Sequence, residues 1–293
     1  MELKIIEMKK VMSADEATKL VGTFVKSKEA NLTEQCVVID AETKEPVMAY
    51  LPLDREIVKQ VRQAVLGLKS WGTAGRAGGW DSASRTFGMA PRKPFHGRES
   101  CRPTSMATDE PENHAVFVSL AEHLDKILKQ IAPKVWQEDM EVMDRVADEW
   151  KMMDGSTWTS GVVNKSAQLP YHRDGFNFEV WSGMPVVRRG MRGGYLDLPE
   201  YNMTIDCKDG WVLFFPGYLI VHGVTPLEPV QKDAYRFSVV YYSLKGMKDC
   251  FTYAVETAQG RKKRTEREKD LADAIEGKKD FKVGNSKKKE KTK

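Results

Sequence analysis

Nothing in the 293-residue chain approaches about 18 consecutive apolar residues, so no membrane-spanning helix is expected. The opening residues, MELKIIEMKKVM, lack the apolar stretch and small-residue cleavage site of a secretory signal. A soluble, cytoplasmic protein with no membrane partner is the expectation. Cysteine is sparse, and Cys36, Cys101, Cys207 and Cys250 are scattered without a CxxC pair. That argues against a zinc knuckle or a dense disulfide framework and predicts reduced, mostly buried thiols. Internal repeats are absent, and histidine occurs five times.

What is present suffices for a real core, since 41% of the residues are hydrophobic. The net charge of +4 is unevenly spread, because residues 261–293 hold fourteen lysines and arginines against seven acids. One domain over residues 1–260, monomeric, is expected, followed by a basic tail. Arg261–Glu276 reads as a surface helix and GNSKKKEKTK as disordered. Such a tail either attracts nucleic acid without sequence preference or is a solvated appendage.

The runs Cys36–Ile39 and Val47–Leu51, separated by AETKEP, predict a hairpin or sheet edge. Ile57, Val61, Val65 and Leu68 mark one face of a helix that Asp54 could cap. Apolar stripes from Val116 to Ile131 and from Trp136 to Trp150 predict two more helices. Residues 72–105, rich in glycine and proline, read as a long loop carrying Arg76, Arg85, Arg92, Lys93, Arg98 and Arg102. From Thr157 to about Tyr253 the period shortens to eight strands: TWTSGVVN, FNFEVW, PVVRR, GGYLDL, YNMTID, GWVLFF, LIVHGV and YRFSVVYYSL. That density argues for a closed or sandwiched β-fold, with residues 1–156 as helical and loop support.

His172 and Asp174 stand two apart, so on an extended segment both project from one face. His222 ends the apolar run LIVHGV, where an imidazole needs a polar partner. Two histidines and a carboxylate form the facial triad of non-haem Fe(II) oxygenases, which leaves positions for co-substrate and dioxygen. Fourteen residues beyond His222, Arg236 and Ser238 share one side of an otherwise apolar strand. A buried arginine needs an anion. The distal carboxylate of 2-oxoglutarate suits a guanidinium aided by a hydroxyl, and the alternative is an internal salt bridge.

The succession HRD, GGYLDLPEY, the Asp-Gly turn into WVLFFP, HGVTPL and RxS resembles the 2-oxoglutarate/Fe(II)-dependent dioxygenase superfamily over residues 157–245. HRDGFN, with SRTFGMAPR upstream, is similar to the TET/JBP branch and especially its phage-type members. The resemblance implies an α+β fold with a double-stranded β-helix core of the jelly-roll or cupin type and helices packed against it. It further implies Fe(II) on His172, Asp174 and His222, 2-oxoglutarate on Arg236 and Ser238, and Asn177 facing the target base. The branch uses O2 to oxidise the 5-methyl group of cytosine or thymine in DNA. This chain lacks the cysteine-rich region of animal TET proteins, so DNA contacts must come from other parts.

Asn177 offers both a donor and an acceptor, so it could face cytosine N4 or thymine O4; 5-methylcytosine is the favoured reading. The 72–105 loop interleaves its arginines with Trp71, Trp80, Phe87 and Phe95. Arginines can neutralise phosphates while an aromatic fills the gap left by a flipped base, and Arg85 and Arg92 are the candidates for that contact. Its alternative is a loop that covers the barrel mouth with its arginines paired internally. A protein or small-molecule substrate is the competing reading for the enzyme.

Overall fold

The computed structural model describes residues 3–75, 81–93 and 98–278. In chain order its first half contains β1 (Lys4–Met8), α1 (Ala14–Thr18), β2 (Cys36–Asp40), β3 (Pro46–Pro52), α2 (Arg55–Gly67), β4 (Gly72–Gly75), β5 (Asp81–Ala90), β6 (Arg102–Pro103), α3 (Ser105–Asp109), α4 (Pro111–Ile131) and α5 (Pro133–Met143). Short strands then dominate: β7 (Ser160–Lys165), β8 (Ser182–Arg189), β9 (Met191–Gly193), β10 (Leu196–Leu198), β11 (Met203–Ile205) and β12 (Trp211–Phe215). The chain continues through β13 (Gly223–Val224), β14 (Leu227–Pro229), β15 (Tyr235–Tyr242) and α6 (Tyr253–Ile275).

A large mixed sheet runs in the order β1-β2-β3-β12-β8-β15-β7-β5-β4, with β6 paired to the far end of β5. All its neighbours are antiparallel except β1 and β2. A small sheet, β11-β10-β13, lies over one face of it. Alternation along each strand divides the faces. Val163, Val187, Val212, Phe214, Phe237 and Tyr241 point toward α2 and α4. Met48, Tyr50, Met184, Leu213 and Phe215 point the other way, against Leu196, Met203 and Ile205 of the small sheet. This is the sandwiched β-fold that the strand density predicts and the jelly-roll core with helices packed against it that the resemblance implies.

The helices follow local rules. Asp54 caps α2 by accepting from the Glu56 N–H at 2.8 Å, and Val61, Ala64 and Val65 bury its inner face. Pro111 and Pro133 open α4 and α5, where a missing N–H costs nothing. On α4, Asp125 accepts from Ser156 Oγ at 2.9 Å and Thr157 Oγ1 at 2.7 Å. Asp139 on α5 accepts from the Trp181 N–H at 3.0 Å. Burial pushes the Asp125 carboxyl up to about 6 and that of Asp139 up to about 8.

Several expectations need correction. Residues 72–105 are not one long loop: β4, β5 and β6 lie there, and β5 pairs with β7 from Ala83↔Lys165 to Gly88↔Ser160. FNFEVW forms no strand; Phe178 and Val180 are anchored in a satellite core with Met143 and Trp150. The helix expected to reach Trp150 stops at Met143, and Trp150 sits on a 3₁₀ turn. Nor are all four cysteines reduced. Cys101 and Cys250, which are 149 residues apart, form a disulfide, while Cys36 and Cys207 are free and buried. α6 begins at Tyr253 and runs unbroken past residue 260, and the lysines at 287–293 lie outside the described residues. No helix among the described residues is long and apolar enough to cross a membrane.

Candidate active site

His172 and His222 meet across an isolated antiparallel bridge, each donating its main-chain N–H to the other's carbonyl at 2.8 and 3.0 Å. Asp174 follows two residues on, its N–H donating to the Gly217 carbonyl at 2.9 Å. The backbone thus fixes all three positions before any ligand enters. The imidazole centroids are 4.3 Å apart, and His172 Nε2 lies 3.8 Å from an Asp174 carboxylate oxygen. One ligand atom from each of the three falls within 4.8 Å of the others.

The second nitrogen of each ring is already occupied. His172 Nδ1 lies 2.8 Å from the Pro170 carbonyl and His222 Nδ1 lies 3.0 Å from the Ile220 carbonyl. A carbonyl only accepts, so each Nδ1 carries a proton, and Nε2 is the nitrogen left to act as a ligand. Burial, reinforced by the neighbouring His172, holds His222 well below its ordinary value, so its ring is neutral. Two imidazoles, each with Nδ1 bonded to a carbonyl, and one carboxylate, with a ligand atom of each within 4.8 Å of the others, form a donor set that fits Fe(II).

These residues open into a cavity of about 490 Å³, a size typical of small-molecule sites. Arg236 and Ser238 on β15 line the same cavity. Arg236 is 1% exposed, and its Nε and Nη2 have no hydrogen-bond partner among the described residues. The Cys207 sulfur is in hydrogen-bonding contact, and Arg188 stands opposite it on β8. Arg188 cannot neutralise it, being a second cation spent on the carbonyls of Met191, Gly193, Asp206 and Cys207. Gly194 makes the space: its φ is +69°, and a Cβ there would lie 2.7 Å from Arg236 Cδ. A buried, forked cation with free N–H groups fits a carboxylate, which is the test a 2-oxoglutarate site must pass.

Asn177 also lines the cavity, on a turn held by its N–H to the Asp174 carbonyl at 2.9 Å and by a bridge to Leu244. Sequence reasoning missed Ser84, Thr86, Asn164 and Tyr242, which line it too. Their signal was available in part, since Ser84 and Thr86 are separated by the period of a strand.

Arg85 and Arg92 require correction as phosphate contacts. Strand alternation turns Arg85 away from the cavity, where it pairs with Glu110 and donates to Ser70 Oγ. Arg92 pairs at 2.8 Å with the buried Glu256, donates to the Asp249 carbonyl and covers the Phe251 ring. Both guanidinium groups are committed internally. Of the aromatics expected to serve a flipped base, Trp71 stacks on Phe237 and Phe87 on Phe117, while Trp80 and Phe95 lie outside the described residues, as does Arg76.

Comparison with known proteins places this geometry in a class. Residues 92–245, more than half of the chain, match the family model Tet_JBP, described as the oxygenase domain of the 2OGFeDO superfamily. The fold is shared with NgTET1 solved in complex with 5mC DNA, at 16% identity and a TM-score of 0.55 over 81% of this chain and 93% of that one. A 2OG-Fe(II) oxygenase family oxidoreductase from Burkholderia pseudomallei aligns at 16% identity, over 73% of this chain and 95% of that one, with a TM-score of 0.44. Among curated proteins there is no significant match. The protein is therefore a 2-oxoglutarate/Fe(II)-type dioxygenase. Within that class it belongs to the TET/JBP family.

Proposed function

We propose that the protein hydroxylates the 5-methyl group of 5-methylcytosine in DNA, with Fe(II) held by His172, Asp174 and His222. The observation that carries the co-substrate assignment is Arg236, a buried cation with two unpartnered nitrogens facing the cavity that contains the triad. Its fork would take the distal carboxylate of 2-oxoglutarate, with Ser238 two residues along the same face. When bound, iron, 2-oxoglutarate and O2 would together supply the oxidation of one methyl C–H to C–OH, with succinate and CO2 leaving.

The chain's own residues have positioning work. His172 and His222 have Nε2 left to act as a ligand because Nδ1 donates to a carbonyl two residues upstream in each case. The apolar part of the cavity wall, formed by Val162, Met184, Leu196 and Val240, would keep water from the reacting group once the base fills the mouth. Asn177 would meet the exocyclic N4 of cytosine through its amide oxygen. A base must leave the stack to reach a triad placed inside a barrel, so the substrate is a flipped or unpaired base. The TET relative solved with 5mC DNA supports cytosine over thymine.

The test is incubation with Fe(II), 2-oxoglutarate and DNA containing 5-methylcytosine, alongside unmethylated DNA and free nucleotides, followed by nucleoside mass spectrometry. 5-Hydroxymethylcytosine from methylated DNA alone is expected. 5-Hydroxymethyluracil would move the substrate to thymine, and succinate with neither product would move it off DNA.

A further inference from the structure

Thr86 on β5 lines both the candidate active-site cavity and a second depression of about 500 Å³. Arg98 and Arg102 line that depression, and none of its lining residues is acidic. Arg102, Pro103 and Tyr253 also border a third depression of about 510 Å³, which follows α6 past Arg261, Arg264 and Arg267. Shared lining residues set the three side by side in a row from the triad to the C-terminal helix, and this row is the groove. Lys93 stands at its cavity end.

The groove's charge survives internal pairing. Its two acids are already matched, Glu99 by Arg267 at 2.7 Å and Glu268 by Arg264 at 2.9 Å. Among the described residues, exposed Arg102 and Arg261 have no carboxylate within 4.0 Å, and Arg98 donates to the Pro91 carbonyl. Arg261, Arg264 and Arg267 recur every third residue of α6, so they span about 9 Å of helix axis. Tyr253, 48% exposed, offers a ring within the same groove. The floor is rigid: the Cys101–Cys250 disulfide ties it to the approach to α6. A Cβ at Gly260 would lie 2.7 Å from Ser100 Oγ, so glycine lets the helix lie this close.

We propose that this groove carries the sugar-phosphate backbone of the DNA strand leading to the active site, with phosphates on Arg98, Arg102 and Arg261 and a base or sugar against Tyr253. The inference rests on the DNA reading above. It adds a binding element, α6, that lies beyond the matched residues 92–245.

Arg102→Ala/Arg261→Ala tests it by fluorescence anisotropy on a labelled duplex containing 5-methylcytosine, across a series of KCl concentrations. Affinity should fall roughly tenfold or more, and the slope of log K against log salt should shrink by about 2, near 0.9 per lost phosphate contact. The charge-preserving pair Arg102→Lys/Arg261→Lys should retain most of the binding, which an unfolded variant would not. KM for DNA should rise with kcat held, and DNA-independent consumption of 2-oxoglutarate should be unchanged. Wild-type affinity and salt slope in the alanine pair would overturn the groove while leaving DNA as the substrate. A wild-type protein that binds no DNA would remove the DNA reading and the groove together.

Discussion

Arg236→Met should move two measurable quantities in opposite directions. The guanidinium is fully buried, faces a second cation at Arg188, and leaves Nε and Nη2 without partners among the described residues. Two charge-assisted hydrogen bonds to a carboxylate, at about 1.5–3 kcal/mol each, put the affinity lost at about 3–6 kcal/mol. The Kd for 2-oxoglutarate should therefore rise by roughly 10²–10⁴-fold. In the ligand-free protein, the same change removes an uncompensated buried charge and substitutes an apolar chain, which should stabilise by about 1–4 kcal/mol. Calorimetric titration with 2-oxoglutarate, using Mn(II) at the metal site to prevent turnover, reads the first quantity. Thermal melting without ligand reads the second. Arg236→Lys keeps the charge but not the fork, so it should fall between. Unchanged 2-oxoglutarate affinity, or a marked loss of stability in the ligand-free protein, would make Arg236 an internal structural cation and refute the reasoning.

Other consequences are open to direct measurement. The Asp139 carboxyl is raised from 3.8 to about 8 on folding, so its stabilising contribution is full below about pH 4 and is lost progressively as pH rises toward 8. Asp139→Asn should match the parent near pH 4 and exceed it in urea denaturation at pH 8, and the same midpoint at both pH values would contradict this. Phe87 is fully buried between Phe117 and Tyr241, so Phe87→Ala should cost about 3–5 kcal/mol by chemical denaturation. Thiol titration of the denatured, unreduced protein should find two free cysteines, Cys36 and Cys207, and four after reduction. Reduction should lower stability by about 2–4 kcal/mol, because the bond closes a long loop of the unfolded chain.

The parts of the molecule legible in the sequence are those where one physical rule acts alone. β15 could be read because Arg236 and Ser238 interrupt an apolar strand at period two, and α2 because its stripe and its Asp54 cap agree. β5 was hidden because two rules conflict: its inward residues Ser84 and Thr86 are polar where a core strand would be apolar, since they face a cavity. Flanking glycines completed the disguise. FNFEVW misled in the other direction, since its alternation reflects a loop anchored by Phe178 and Val180, with the Trp181 N–H donating to Asp139. Arg85 and Arg92 looked free because their partners, Glu110 and Glu256, lie 25 and 164 residues away, and no local pattern encodes such pairs. The same holds for Cys101 and Cys250.

Glu256 sits in the first turn of α6 with no exposure to solvent. It accepts from the Cys101 N–H and the Phe251 N–H, each at 2.8 Å, and holds Arg92 at the same distance. The recognisable oxygenase region is thus wired to a residue outside it, and homology boundaries are a poor guide to where this chain can be trimmed. A version ending at residue 245 would keep the triad and Arg236 yet strand Arg92 without a counter-ion and Cys101 without its disulfide partner. Expression designs and domain swaps should therefore carry α6 along with the barrel.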